Sequence, residues 1–180
     1  MVDFDSHAKG WDDDPEKVER ARAIAKSIRK NIRLTPDMSA MEYGCGTGLL
    51  SFSLAPYLRR ITLVDNSPAM FSVLEEKNRA LGAGNMVPIR FDLLKDPLPR
   101  DRYHLICTVM TLHHMMDTEK VLRDFRQLLE HPGTLCVADL DKEDGSFHHE
   151  EDFVRHTGFN RKELQEQVLR TGFRKVTFKT

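Results

Sequence analysis

Residues 41–51 read Met41-Glu42-Tyr43-Gly44-Cys45-Gly46-Thr47-Gly48-Leu49-Leu50-Ser51, three alternating glycines behind an acid. Such a turn lets backbone approach a ligand closely, because glycine carries no Cβ. A triphosphate loop needs G-x-x-x-x-G-K-[ST], but Gly48 is followed by Leu49 and Leu50 with no lysine to reach a phosphate. The dinucleotide fingerprint G-x-G-x-x-G would put its third glycine at position 49, which is Leu49. Glu42 separates the alternatives further. It sits inside an apolar run, Ala40 to Tyr43, where a carboxylate is rarely buried without a partner. Beside a pyrophosphate it would repel the ligand, whereas beside a cationic nucleoside it would attract one.

Outward from this turn, strand-like and helix-like stretches alternate. Val18, Ala21, Ala25, Ile28 and Ile32 recur at helical spacing behind Asp14 and Pro15, a cap followed by proline at the first helical position. Leu49 to Leu58 is expected to be helical. Ile61 to Val64 forms a short strand ending in Asp65, and Ser67-Pro68 opens a helix through Leu81. Strands follow at Met86 to Phe91, Tyr103 to Val109 and Thr134 to Ala138. They end near Asp92, Thr108 and Asp139, with an amphipathic helix around Val121 to Leu129 between the last two. Asn160 and Glu163 resemble a capping box for a helix through Arg170, and Phe173 to Lys179 alternates like a further strand. This alternation predicts one α/β domain over residues 1–180, a doubly wound, Rossmann-like and mostly parallel sheet. Residues 1–35 form an N-terminal helical segment, and 141–159 an irregular loop. Ligands in such folds sit beyond the carboxyl ends of the strands, so the glycine turn, Asp65, Asp92, Thr108 and Asp139 should line one crevice.

These residues resemble the class I S-adenosylmethionine-dependent methyltransferases. That family's E/D-x-G-x-G-x-G matches Glu42, Gly44, Gly46 and Gly48, with Cys45 inside the turn. The resemblance implies S-adenosyl-L-methionine as cofactor, whose sulfonium and ammonium suit Glu42. It implies that Asp65, followed by Asn66, holds the ribose, and the acid lies about 20 residues beyond Gly44, near the spacing of ribose-binding acids. It implies that Asp92, with Leu93 beside it, contacts the adenine, and that Thr108 and the following residues flank the methionine moiety. The Leu112-His113-His114 stretch is similar to the small-molecule branch of the family. The family's sheet ends in an antiparallel hairpin, so the last strand is expected to be missing here, leaving an edge through which a homodimer could form.

His113 and His114 are the candidate catalytic bases, needed if the acceptor is a hydroxyl or an ammonium; the alternative is that one packs on the sheet and the other caps the next helix. Trp11 is the candidate aromatic cover for the donor. Asp12-Asp13-Asp14 reads as an acid cluster at a helix start. Phe147-His148-His149-Glu150-Glu151 meets no metal-ligand spacing, so no metal is expected and the 141–159 loop is read as an acceptor-side lid. The formal net charge of -1 points to no nucleic-acid partner, and no apolar run is long enough for a membrane span. Three cysteines without C-x-x-C spacing and no leader-like start suggest a cytoplasmic protein. The expected partner is a small-molecule methyl acceptor. The competing readings are a non-catalytic S-adenosylmethionine-binding protein and, disfavoured by Leu49, a nicotinamide-dependent oxidoreductase.

Overall fold

Each strand of the sheet ends at, or within two residues of, a residue of the proposed crevice, and the order of the strands brings those ends together. The computed structural model describes residues 4–144 and 155–180. Five strands, β1 (Ser39–Tyr43), β2 (Arg60–Asp65), β3 (Met86–Arg90), β4 (Tyr103–Val109) and β5 (Leu129–Ala138), pair in the order β3-β2-β1-β4-β5. Every pairing is parallel. The order reverses direction at β1, so its two neighbours leave on opposite sides and a crevice opens at its carboxyl end.

The helices are α1 (Phe4–His7), α2 (Pro15–Asn31), α3 (Leu49–Leu54), α4 (Pro68–Leu81), α5 (Thr118–Leu128) and α6 (Arg161–Arg170). They cover both faces of the sheet. Ala25 and Ile28 of α2, Leu50 and Leu54 of α3 and Leu74 of α4 pack on Ala40, Leu63 and Leu105. On the other face, Val121, Leu122, Phe125 and Leu128 of α5 pack on Met41, Val64 and Ile106, with Leu164 and Val168 of α6 behind them. β1 is buried along its whole length, as expected of a central strand covered on both sides.

The helix starts follow their sequence signals. The Asp14 side chain accepts from the amides of Glu16 and Lys17, Ser67 caps α4 through Met70, and Asn160 caps α6 through Lys162 and Glu163. The helix expected over Leu49 to Leu58 is α-helical only to Leu54 and tightens into a 3-10 turn over Ala55–Tyr57, and two stretches differ further from the sequence reading. β5 begins at Leu129, five residues before the expected Thr134, because α5 ends at Leu128 and the chain turns directly into the sheet. Residues 173–180 form no strand. Alternation alone made that stretch look like one, but a strand needs a hydrogen-bonded neighbour, and here only Phe173 packs into the core. Among the described residues the outer edge of β5 therefore carries no strand. The thiols of Cys45, Cys107 and Cys136 are free, and no helix of the described residues is long and apolar enough to cross a membrane.

Candidate functional site

The glycine turn is tied down from β2. The amides of Gly44 and Cys45 donate to the Val64 carbonyl at 2.8 and 3.0 Å, and the Gly46 amide donates to Asp65 Oδ2 at 2.7 Å. Gly44, Gly46 and Gly48 all have positive φ, at 69°, 52° and 83°, a region costly to other residues. A Cβ at Gly44 would lie 2.3 Å from Thr111 Oγ1, and one at Gly48 would lie 2.8 Å from Leu74. Gly46 differs: its nearest atoms would be Met70 Sδ at 3.9 Å and Trp11 Nε1 at 4.0 Å. Two of the glycines therefore serve internal packing, whereas a side chain at the middle one would meet Met70 and Trp11 only at ordinary van der Waals distance.

Glu42 lies under the turn at 4% exposure. The Ser51 hydroxyl donates to its Oε2, and no described cation pairs with it. Burial pushes its carboxyl up to about 7, against the opposing pull of the Ser51 hydrogen bond. Asp65 is raised by the same cause, although the amides of Ser67 and Gly46 favour its ionised form. Burying two acids at one turn is costly unless a cation joins them.

The adjoining strand ends complete the rim. Asn66 Nδ2 donates to Asp92 Oδ2 at 3.4 Å, linking the ends of β2 and β3. Burial alone would raise Asp92, but hydrogen bonds from the Leu94 amide, Lys95 and Asn66 outweigh it and hold the acid below its ordinary value. Leu93 is buried, its amide donating to Tyr43 Oη at 3.2 Å. Thr108 is buried near the end of β4, and its hydroxyl has no hydrogen-bond partner among the described residues.

The two adjacent histidines take different positions. His113 is buried at 1% exposure, and its Nδ1 lies 2.6 Å from Asp139 Oδ1. Asp139 also accepts from the amides of Leu112 at 2.9 Å and Leu140 at 2.8 Å, so the carboxylate is enclosed by donors. With Asp139 ionised, this contact places the His113 proton on Nδ1. His114 is half-buried, with its ring centroid 3.9 Å from that of His113 and 5.2 Å from that of Phe4. The cap of α5 is neither histidine but Asp117, which accepts from the Lys120 amide.

Phe4 belongs to an N-terminal strap over the crevice. Asp5 accepts from the Ser67 hydroxyl at 2.5 Å and the Ala69 amide at 3.2 Å. Asp12 accepts from Thr47 Oγ1 at 2.5 Å and from Lys77 Nζ at 2.6 Å. Trp11 sits between these two anchors, edge-on to Phe4 and beneath the Lys17 ammonium. Of the Asp12-Asp13-Asp14 cluster, only Asp14 caps a helix; Asp12 fastens the strap instead.

A five-stranded parallel sheet with an acid-glycine turn at its reversal point matches a known family. Residues 40–133 fit the family described as a methyltransferase domain. The chain belongs to that family. Against an uncharacterized methyltransferase of Schizosaccharomyces pombe, the methyltransferase domain is 32% identical over 118 residues, covering 62% of this chain and 42% of that protein. Against the (S)-coclaurine N-methyltransferase of Thalictrum flavum it is 28% identical over 114 residues, covering 62% of this chain and 31% of that one. The chain thus spans less than half the length of either relative. A crystal structure of a SAM-dependent methyltransferase from Aquifex aeolicus superposes with a TM-score of 0.69 at 20% identity, covering 89% of each chain; at that identity the likeness concerns the fold.

In this methyltransferase domain, sequence reasoning missed the partners of its own candidates. Ser51 beneath Glu42, Asp139 behind His113, and the Asp5 and Asp12 anchors of the strap join positions far apart in sequence, and no spacing rule connects them. The residues 147–151 proposed as part of a lid lie outside the described residues. The flanks of that loop are pinned: Asp141 bridges to Phe159, and the amides of Arg155 and His156 donate to the His113 carbonyl at 3.2 and 3.0 Å. Among the described residues, no three His, Cys, Asp or Glu side chains gather where they could hold a metal ion.

Proposed function

We propose that the chain binds S-adenosyl-L-methionine across the glycine turn and transfers its methyl group to a small-molecule acceptor. The observation that carries this reading is Glu42, a buried carboxylate raised to about 7 that makes no ion pair among the described residues, directly under a glycine turn. A cationic donor supplies what that acid lacks. Gly46 makes no tight internal contact and lies beside Trp11, so the turn can approach a ligand closely, and no lysine of the turn itself invites a phosphate.

The residues divide the work by position. Glu42, Gly44, Cys45, Gly46 and Gly48 hold the methionine end, together with Thr108. Asp65 and Asn66 take the ribose, Asp92 and Leu93 the adenine, and Trp11 closes over the donor. The donor brings an activated methyl group on sulfur. The protein's task is then to align the acceptor with it and to exclude water, and the strap across the crevice suits the second task. His114, half-buried at the crevice and backed by His113, is the better placed of the two histidines to take a proton from an acceptor. His113, held by Asp139, acts as a positioning residue. A small-molecule acceptor is supported by relatives named (S)-coclaurine N-methyltransferase and ubiquinone biosynthesis O-methyltransferase.

S-adenosylhomocysteine is expected to bind in calorimetry and raise the melting temperature, while NAD and ATP do neither. Equal stabilisation by NAD would overturn the assignment in favour of the oxidoreductase reading. Asp65→Ala is expected to weaken donor binding by roughly ten- to a hundredfold, the worth of a charge-assisted hydrogen bond, while the domain stays folded. An unchanged dissociation constant in the folded variant would leave Asp65 as a pin for the Gly46 and Ser67 amides. Donor binding without transfer to any acceptor in a broad screen would favour a non-catalytic binding protein.

A further inference from the structure

A second hollow, of about 460 Å³, opens between α5, α6 and residues 155–160. That volume falls in the range of small-ligand sites. Its apolar side is formed by Phe159 and Leu164, both packed against the second core cluster. Among the described residues its polar side carries Lys142, Arg155 and Arg170 and one acid, Glu163. Neither Lys142 nor Arg170 makes an ion pair among the described residues. Single exposed cations are ordinary solvated surface. Two such cations, Lys142 and Arg170, on one hollow with an apolar wall are a different arrangement.

The position of the hollow matters as much as its charge. Lys142 lies just beyond the carboxyl end of β5, the side of the sheet on which the crevice opens. His156 forms a shared wall: it faces the hollow, its amide donates to the His113 carbonyl, and its Nε2 is 3.1 Å from the Met115 carbonyl. The hollow therefore abuts the segment that presents His114.

We propose that this hollow binds the anionic end of the methyl acceptor, a carboxylate or phosphate ester on an apolar body. The inference rests on the methyltransferase reading above, which it narrows to a class of substrate. Phe159 and Leu164 take the apolar body, Lys142 and Arg170 take the anion, and His156 lies between that anion and His114.

The test uses benzoate and phenyl phosphate as probes, with benzamide as the uncharged control, followed by chemical shifts or calorimetry in the full chain. Both anions should bind saturably and benzamide should not, with affinity falling as salt rises. The tighter of the two identifies the anion class. Lys142→Ala and Arg170→Ala should each weaken the probes roughly fivefold, the upper range for exposed charge contacts, and Glu163→Gln should strengthen them. Both alanine variants should bind S-adenosylhomocysteine like the parent, which also shows that they are folded. Absent or unsaturable anion binding in a chain that still binds S-adenosylhomocysteine overturns this inference alone, whereas loss of S-adenosylhomocysteine binding in the parent chain overturns the function reading instead. Anion binding that appears only when Glu150, Glu151 and Asp152 are neutralised together would mean that the chain's own acids fill the hollow, and would also overturn the proposal.

Discussion

Glu42→Gln is expected to raise the melting temperature of the unliganded chain at pH 8 while weakening donor binding by roughly a hundredfold. Both effects come from one charge. Glu42 has a folded-state value of about 7 against an ordinary 4.5, so the folded chain holds a proton that the unfolded chain gives up between those values. Stability from this group is fully present below about 4.5 and is lost as pH rises through about 7. The difference amounts to about 3 kcal/mol of cost above neutrality, which glutamine avoids while still accepting the Ser51 hydroxyl. Asp65 is raised too and adds a slope of the same sign. Donor binding reverses the balance, because pairing with a cation requires the carboxylate. Below pH 7, binding should therefore release a proton, measurable as a dependence of the calorimetric heat on buffer ionisation, and affinity should climb towards neutrality and then level. If Glu42→Gln melted like the parent at every pH and bound S-adenosylhomocysteine equally well, the buried acid would have no part in recognition.

Asp139→Ala should lower stability by about 3 kcal/mol, the scale for leaving several buried donors without an acceptor. For a chain of this size that corresponds to a melting temperature lower by roughly 10 °C. Asp139 is 4% exposed beside a His113 that is 1% exposed. Its removal strands the amides of Leu112 and Leu140 together with the imidazole N–H, and each buried donor left unmade is costly. Asp139→Asn separates this structural loss from the functional one. The amide oxygen can still accept backbone N–H groups, but its NH2 facing Nδ1 drives the His113 proton to Nε2. Nitrogen chemical shifts of the His113 ring would report that switch, and transfer should fall further than donor affinity. An alanine variant melting within a degree or two of the parent would remove the dyad from the account.

What could be read from sequence was whatever depends on local order. The acid-glycine turn, the strand ends at Asp65 and Asp92, and the caps at Asp14, Ser67 and Asn160 all follow from short patterns with a direct physical cause. What could not be read depends on distance. Asp12 looked like a member of a helix-start cluster because its neighbour Asp14 is one, and nothing near it names Thr47 or Lys77 as its partners. His113 and His114 looked equivalent side by side, yet one is enclosed by a carboxylate 26 residues later and the other faces the strap. Phe173 to Lys179 had the right alternation for a strand, but alternation describes faces and not the presence of a neighbour to bond.

The place of β1 in the sheet also bears on how the chain is made. The central strand is synthesised before either of its partners, and one of them is β4, which ends at Val109. A nascent chain released only as far as β3 would hold β1 with one side of its hydrogen-bonding edge bare, and the face that α5 covers would be open to solvent. Parallel sheets built from such distant segments close slowly. The order β3-β2-β1-β4-β5 thus sets a threshold on the ribosome. Arrested chains exposing residues only through Arg90 should be cut readily by protease, and those exposing α5 and β5 should resist. Equal resistance at both lengths would show that the first three strands close a core of their own.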